Sequence, residues 1–243
     1  MAISSPPRRG GRAAPRRQRG LVTALVVALV AVLVLAAVVV ALLARGGSLG
    51  LGVQGSGVAA TQARVLPTFS SLDLAGSNNV TVAVGGRQSV VVHADSNLMR
   101  YVTTRVVAGT LVIGTTGSFT TRTPMSVEVS VPSLAAATLS GSGEISVTGI
   151  DAPRLTVTLP GSGTLYAGGS VTQLNVTLGG SGLAQLGDVA ARDVHAVVTG
   201  SGLIRVTATA SLNAAVSGSG AIIYSGNPQV TSSVTGSGTV TRG

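Results

Sequence analysis

Cysteine is absent from all 243 residues. That excludes disulfides, thiolate metal sites and cysteine nucleophiles together. Life outside the cytoplasm remains compatible with this, but the fold must then be stabilised by packing alone. Tryptophan is also missing, and the five aromatic residues, Phe69, Tyr101, Phe119, Tyr166 and Tyr224, are scattered. A nucleic-acid surface combines a basic stripe with stacking aromatics. The formal net charge of +9 does not supply one, because of where the charges sit. All sixteen basic residues are arginine. Arg8, Arg9, Arg12, Arg16, Arg17 and Arg19 precede one apolar run and Arg45 follows it. From Gly46 onward nine arginines face seven acids, a balance of only +2. No nucleic-acid partner is expected.

What is present begins with that apolar run. Leu21 to Ala44 holds 24 residues with no charge and one hydroxyl, Thr23; sixteen are Leu or Val and seven are Ala. At about 1.5 Å per residue such a helix is roughly 36 Å long and crosses a hydrocarbon core of about 30 Å with some tilt. A cleaved signal peptide usually has an apolar region of about 7–15 residues, so the length favours an uncleaved signal anchor. Six arginines before the span against one after it place the N-terminus in the cytoplasm. The expected organisation is a disordered Arg-rich tail over residues 1–20, a transmembrane helix over 21–44, a flexible Gly/Ser-rich tether over 45–66 and an extracytoplasmic body over 67–243.

Within the body, side chains alternate with a period of two, which predicts half-buried strands. Val80, Val82 and Val84 make one such set. Val90, Val92 and Ala94 follow, then Leu111 and Ile113, then Met125, Val127, Val129 and Val131. Helical periodicity is nearly missing beyond the apolar run; residues 96–105 offer one short face with Leu98, Tyr101, Val102 and Arg105.

The tripeptide Gly-Ser-Gly then starts at residues 141, 161, 180, 200, 218 and 236, at intervals of 18–20. A fixed period near 20 marks a solenoid. Two and four residues past the last glycine of the first five corners stand apolar pairs such as Ile145 and Val147 or Ile204 and Val206. Six and two residues before each first glycine stand pairs such as Leu155 and Leu159 or Leu174 and Leu178. Each coil therefore offers two short strands joined at the Gly-Ser-Gly corner, with a third side from variable segments such as 148–153 and 187–192. Stacking coils in parallel buries one aliphatic column. Glycine suits the corner because it reaches positive φ and lets coils approach closely.

Two polar ladders follow from this register. Ser142, Ser162, Ser181, Ser201, Ser219 and Ser237 are expected to stack along one edge. Asn175, His195 and Asn213 are expected to stack on an outward face, with Asp193 beside His195. These are the candidate ligand-facing residues. Asp193 and His195 lack a second carboxylate in register, which glycoside chemistry requires at about 5–9.5 Å. No three or four metal ligands converge either. We assign no catalytic, cofactor-binding or metal residues.

The body resembles the putative auto-transporter adhesin family with the head GIN domain. The likeness covers roughly Phe69 to Gly243. It rests on the order of Val80-Thr81-Val82-Ala83-Val84, Asp95-Ser96-Asn97-Leu98, Gly109-Thr110-Leu111-Val112-Ile113, Val127 to Leu134, and the Gly-Ser-Gly series. The resemblance implies an all-β, right-handed parallel β-helix on the cell surface or in the envelope, and it brings no catalytic residues. The chain departs from lipoprotein-like members in carrying an anchor. Its expected role is a binding or adhesion-like module for an envelope glycan, wall polymer or protein, with an envelope-stress or signalling accessory and a polysaccharide-active enzyme as alternatives. The sixth Gly-Ser-Gly lies five residues before Gly243, so an open strand edge is expected at that end, available for self-association.

Overall fold

A computed structural model describes residues 52–243. The expected tail, the expected transmembrane helix and the first residues of the expected tether lie outside the described residues. Among the described residues no helix is long and apolar enough to cross a membrane.

The alternating segments form strands wherever β-branched residues recur every second position. The N-terminal part contains β1 (Val53–Gln54), β2 (Ala59–Ala63), β3 (Ser71–Leu74), β4 (Asn79–Val84), β5 (Ser89–Asp95), β6 (Val102–Val107), β7 (Thr110–Thr115), β8 (Phe119–Thr120) and β9 (Ser126–Val131). Two antiparallel elements interrupt an otherwise parallel architecture. β5 lies between β2 and β9, and β6 pairs with β7 around a turn whose two residues, Ala108 (φ 49°) and Gly109 (φ 74°), both sit in the left-handed region. A two-residue hairpin of type I′ demands that geometry.

Two expectations are corrected here. Residues 53–66 are not a free tether. β1 pairs in parallel with β8, and β2 pairs antiparallel with β5 from Ala59↔Asp95 to Ala63↔Val91. Glycine and serine serve close packing in this stretch: a Cβ at Gly55 would collide with the Asp95 carboxylate and come within 2.9 Å of the Arg122 backbone nitrogen. The helical face over 96–105 is likewise reduced to one 3-10 turn, Met99–Tyr101, followed by β6. The run Val102, Thr103, Thr104, Val106 and Val107 is stiff at χ1 and prefers the extended chain.

Past β9 come β10 (Ala136–Leu139), β11 (Glu144–Leu159), β12 (Thr164–Leu178), β13 (Leu183–Val198), β14 (Leu203–Gly218), β15 (Ala221–Gly226), β16 (Gln229–Gly236) and β17 (Thr239–Arg242). All are parallel to their neighbours one coil away. The register is the one the repeat dictates: Ile145↔Leu165, Leu165↔Ala184, Ala184↔Ile204, Ile204↔Ile222 and Ile222↔Val240 on one side. Leu155↔Leu174, Leu174↔Val194, Val194↔Leu212 and Leu212↔Val230 run along the other. All of these side chains but Val230, which is exposed, belong to or pack against one continuous core that also takes in Leu72, Leu74, Val80, Leu111 and Val127 from the N-terminal part. The variable third side is strand too, with Asp151↔Ser170 and Ser170↔Ala190 paired. Register shifts near Val147, Tyr166 and Leu186 absorb the unequal coil lengths. The described chain is an all-β parallel solenoid.

Its corners stack glycine on glycine. The Ser162 N–H donates to the Gly141 carbonyl at 3.2 Å and Thr164 N–H to Gly143 at 3.1 Å; Ser201 N–H donates to Gly180 and Leu203 N–H to Gly182, each at 3.2 Å. Only two first-position corner glycines, Gly218 and Gly236, have positive φ. Glycine is therefore required at most corners by close approach rather than by the bend. A Cβ at Gly161, Gly180 or Gly200 would run into carbonyl oxygens of the coil before.

Candidate ligand-binding faces

Val194 is 3% exposed and points inward, so its neighbours Asp193 and His195 point outward across the pleat. Asn175 pairs with His195, and His195 with Asn213, so the predicted Asn-His-Asn ladder exists. It continues to Thr156 on one side and Thr231 on the other. Neighbouring strands lie about 4.8 Å apart, so the face presents one hydrogen-bonding side chain at each such step. His195 and Asn213 are exposed and Asn175 half-buried.

Asp193 stands in a second, adjoining ladder whose register neighbours are Gln173 and Ser211. Ser211 Oγ donates to Asp193 Oδ1 at 2.6 Å, and Arg154 Nε donates to Gln173 Oε1 at 2.9 Å. The Arg192 guanidinium approaches Asp193 Oδ2 at 3.9 Å, with both side chains well solvated; an ion pair of that kind contributes little. Asp193 is thus oriented by a hydroxyl and faces no carboxylate in register, an arrangement for holding polar groups rather than for general acid–base work.

All six corner serines, Ser142, Ser162, Ser181, Ser201, Ser219 and Ser237, are exposed, and the stacked backbone on either side of them makes the edge continuous. The ladder has one more rung. Gly76-Ser77-Asn78 lies beneath Gly141-Ser142-Gly143, with Gly143 N–H donating to the Gly76 carbonyl at 3.3 Å and Glu144 N–H to Asn78 at 3.2 Å.

A shallow groove of about 360 Å³ on the strands that follow the corners is lined by Ser146, Tyr166, Gln185, Gly187 and Asp188. Tyr166 is 42% exposed there and pairs in register with Ser146 and Gln185. The sequence contained its signal: an aromatic residue at an outward position between the inward Leu165 and Ala167. Among the described residues no group of three or more His, Asp or Glu is placed to hold a metal ion.

Taken together, the geometry defines a parallel β-solenoid with polar ladders on its flanks and an irregular, partly antiparallel N-terminal end. The chain belongs to the family described as putative auto-transporter adhesin, head GIN domain, whose model matches residues 68–228. Among solved structures it is similar to a putative adhesin from Bacteroides fragilis NCTC 9343, with 21% identity, a TM-score of 0.67, and 79% of this chain and 100% of that one covered. A putative lipid binding protein from Parabacteroides distasonis ATCC 8503 matches at 22% identity and a TM-score of 0.53, covering 79% and 99%. A putative adhesin from the same organism matches at 23% and 0.52 over the same shares. At these identities the likeness is one of fold. No curated protein matches.

Proposed function

We propose that the protein is a single-pass membrane protein whose solenoid stands outside the cytoplasm as a binding or adhesion-like module for an envelope polymer, a glycan or wall polymer first and a protein second. The observation that carries this reading is the exposed register of Asn175, His195 and Asn213 beside Asp193. A repeating ligand meets equivalent hydrogen-bonding groups at each coil, so weak contacts add along its length. Residues 1–20 are read as the cytoplasmic tail and 21–44 as the anchor, from six arginines before the apolar run and one after it. Right-handed winding belongs to the same reading, since parallel crossovers are right-handed in nearly all cases. No catalytic step is assigned.

The test is a sedimentation assay with full-length protein in detergent and insoluble envelope material. Wild type is expected to co-sediment. A combined Asp193→Ala, His195→Ala and Asn213→Ala variant is expected to bind at least about tenfold more weakly, as loss of several bonds of about 1 kcal/mol each implies. Equal binding by the triple variant removes the lateral face from the account. The topology is checked separately by adding protease to intact cells. Digestion of the solenoid with survival of an N-terminal tag is expected, and full protection of the solenoid overturns the outward placement.

A further inference from the structure

The corner that breaks the repeat's own rule is Gly76-Ser77-Asn78. At each later corner the third residue is glycine. A Cβ at Gly143 would meet Asn78 backbone atoms and the Leu74 side chain, and one at Gly163 would meet the Gly143 carbonyl and the Leu139 side chain. The third position thus points back toward the preceding coil. Before Asn78 there is no such corner. The segment leading from β7 into β8 passes there instead and leaves a cleft of about 620 Å³.

Every side chain lining this cleft is uncharged. Ser77, Thr115, Ser118, Thr120 and Thr121 bring hydroxyls, Phe119 brings an aromatic wall, and Asn78 brings an amide. Asn78 is only 5% exposed, and its Nδ2 is buried without a hydrogen-bond partner. A buried donor left unpaired is destabilising, so glycine, used at the six other corners, would cost less here. Rotation about χ2 exchanges the two ends of the amide in the same space, so either the donor or the acceptor can serve the cleft. The Phe119 ring is held in place by Tyr101, at 5.8 Å between centroids and 42° between planes, and the Arg100 guanidinium lies 5.1 Å from the Tyr101 ring centre. β1 fixes the same segment from the other side through Val53↔Phe119 and Gln54↔Thr120.

We infer that this end cleft is a binding site for a neutral saccharide ring, separate from the lateral ladders and independent of the reading given to them. The chemistry selects the ligand class. An anionic ligand finds no counter-charge. A lipid tail leaves five hydroxyls and an amide unpaired. A sugar ring offers hydroxyls around its rim and C–H faces to the Phe119 wall, which matches the mixture of groups present.

The experiment is saturation-transfer NMR on the full chain in a zwitterionic detergent, free of sugar headgroups. The probes are glucose, N-acetylglucosamine and the β-1,4-linked N-acetylglucosamine tetramer. Transfer to at least one probe is expected; preference for the tetramer identifies a polymer end as the source, and equal transfer identifies free sugar. Asn78→Gly installs the repeat's own residue and Asn78→Leu keeps the bulk. Each is expected to weaken binding at least about tenfold while the thermal midpoint stays equal or rises, and His195→Ala is expected to leave binding unchanged. Silence from all three probes, or undiminished binding by both Asn78 variants, overturns the inference.

Discussion

Gly200→Ala is expected to cost at least about 3 kcal/mol of folding stability, whereas Gly187→Ala, thirteen residues earlier in sequence, is expected to change it by less than about 1 kcal/mol. The difference is local geometry. A Cβ on Gly200 would lie 2.6 Å from the Gly179 carbonyl oxygen and closer still to that of Gly180. The Gly180 oxygen is not free to retreat, because it accepts the Ser201 N–H at 3.2 Å within the corner ladder. Movement of Gly200 is also passed on, since its own carbonyl accepts the Gly220 N–H at 3.1 Å one coil later. Gly187 has nothing within 4 Å of an added Cβ. Because each coil contacts only its neighbours, damage at one corner uncouples the coils on its two sides and broadens the unfolding transition. Urea titration followed by far-ultraviolet circular dichroism measures both. A Gly200→Ala midpoint within 1 kcal/mol of wild type would mean that close approach does not explain the corner glycines.

The same geometry explains which parts of the molecule were legible from residues alone. Asn175, His195 and Asn213 each stand five residues before a corner glycine. Once the corner is recognised, parallel stacking admits one register, and that register is observed. The inward column was legible for the same reason. The corner at Gly76-Ser77-Asn78 was not, because the antiparallel elements between β4 and β10 separate it by 65 residues from Gly141 and its third residue is asparagine. The packing of 53–66 was hidden by distance: Ala59 pairs with Asp95 and Val53 with Phe119. Gly/Ser composition reads the same whether it frees a chain or lets it lie flat against another. Asp95-Ser96-Asn97-Leu98 stood out as a family-like string, yet nothing local told that its carboxylate binds backbone from two remote segments.

That carboxylate carries the second large effect. Asp95→Asn is expected to lower the thermal midpoint at neutral pH by on the order of 5 °C or more and to raise hydrogen exchange in residues 53–63 and 122–123. Asp95 is fully buried. Oδ1 accepts the Gly57 N–H at 2.7 Å, and Oδ2 accepts those of Arg122 at 2.9 Å and Thr123 at 3.2 Å. An asparagine replaces one acceptor by an N–H₂ group, so either Gly57 or the Arg122–Thr123 pair then faces a donor. Around this clamp Asn97 Oδ1 takes the Ser56 N–H at 2.8 Å, and its Nδ2 donates to the Gln54 carbonyl at 2.7 Å. Loss of the centre therefore releases β1 and β2 together. Burial pushes the Asp95 carboxyl up, but the N–H groups of Arg122, Thr123 and Gly57 and the Thr123 hydroxyl outweigh it, so its pKa lies below the ordinary aspartate range. A depressed carboxylate contributes stability that is present above the unfolded value, about 3.9, and lost as pH falls through the folded one. The gap between wild type and Asp95→Asn is accordingly expected to be widest near pH 7 and to narrow below about pH 4, as wild type takes up the proton. Thermal scans of both proteins from pH 7 to pH 3 measure it. A gap that stays constant across that range, or unchanged exchange in β1 and β2, would deny the clamp its role.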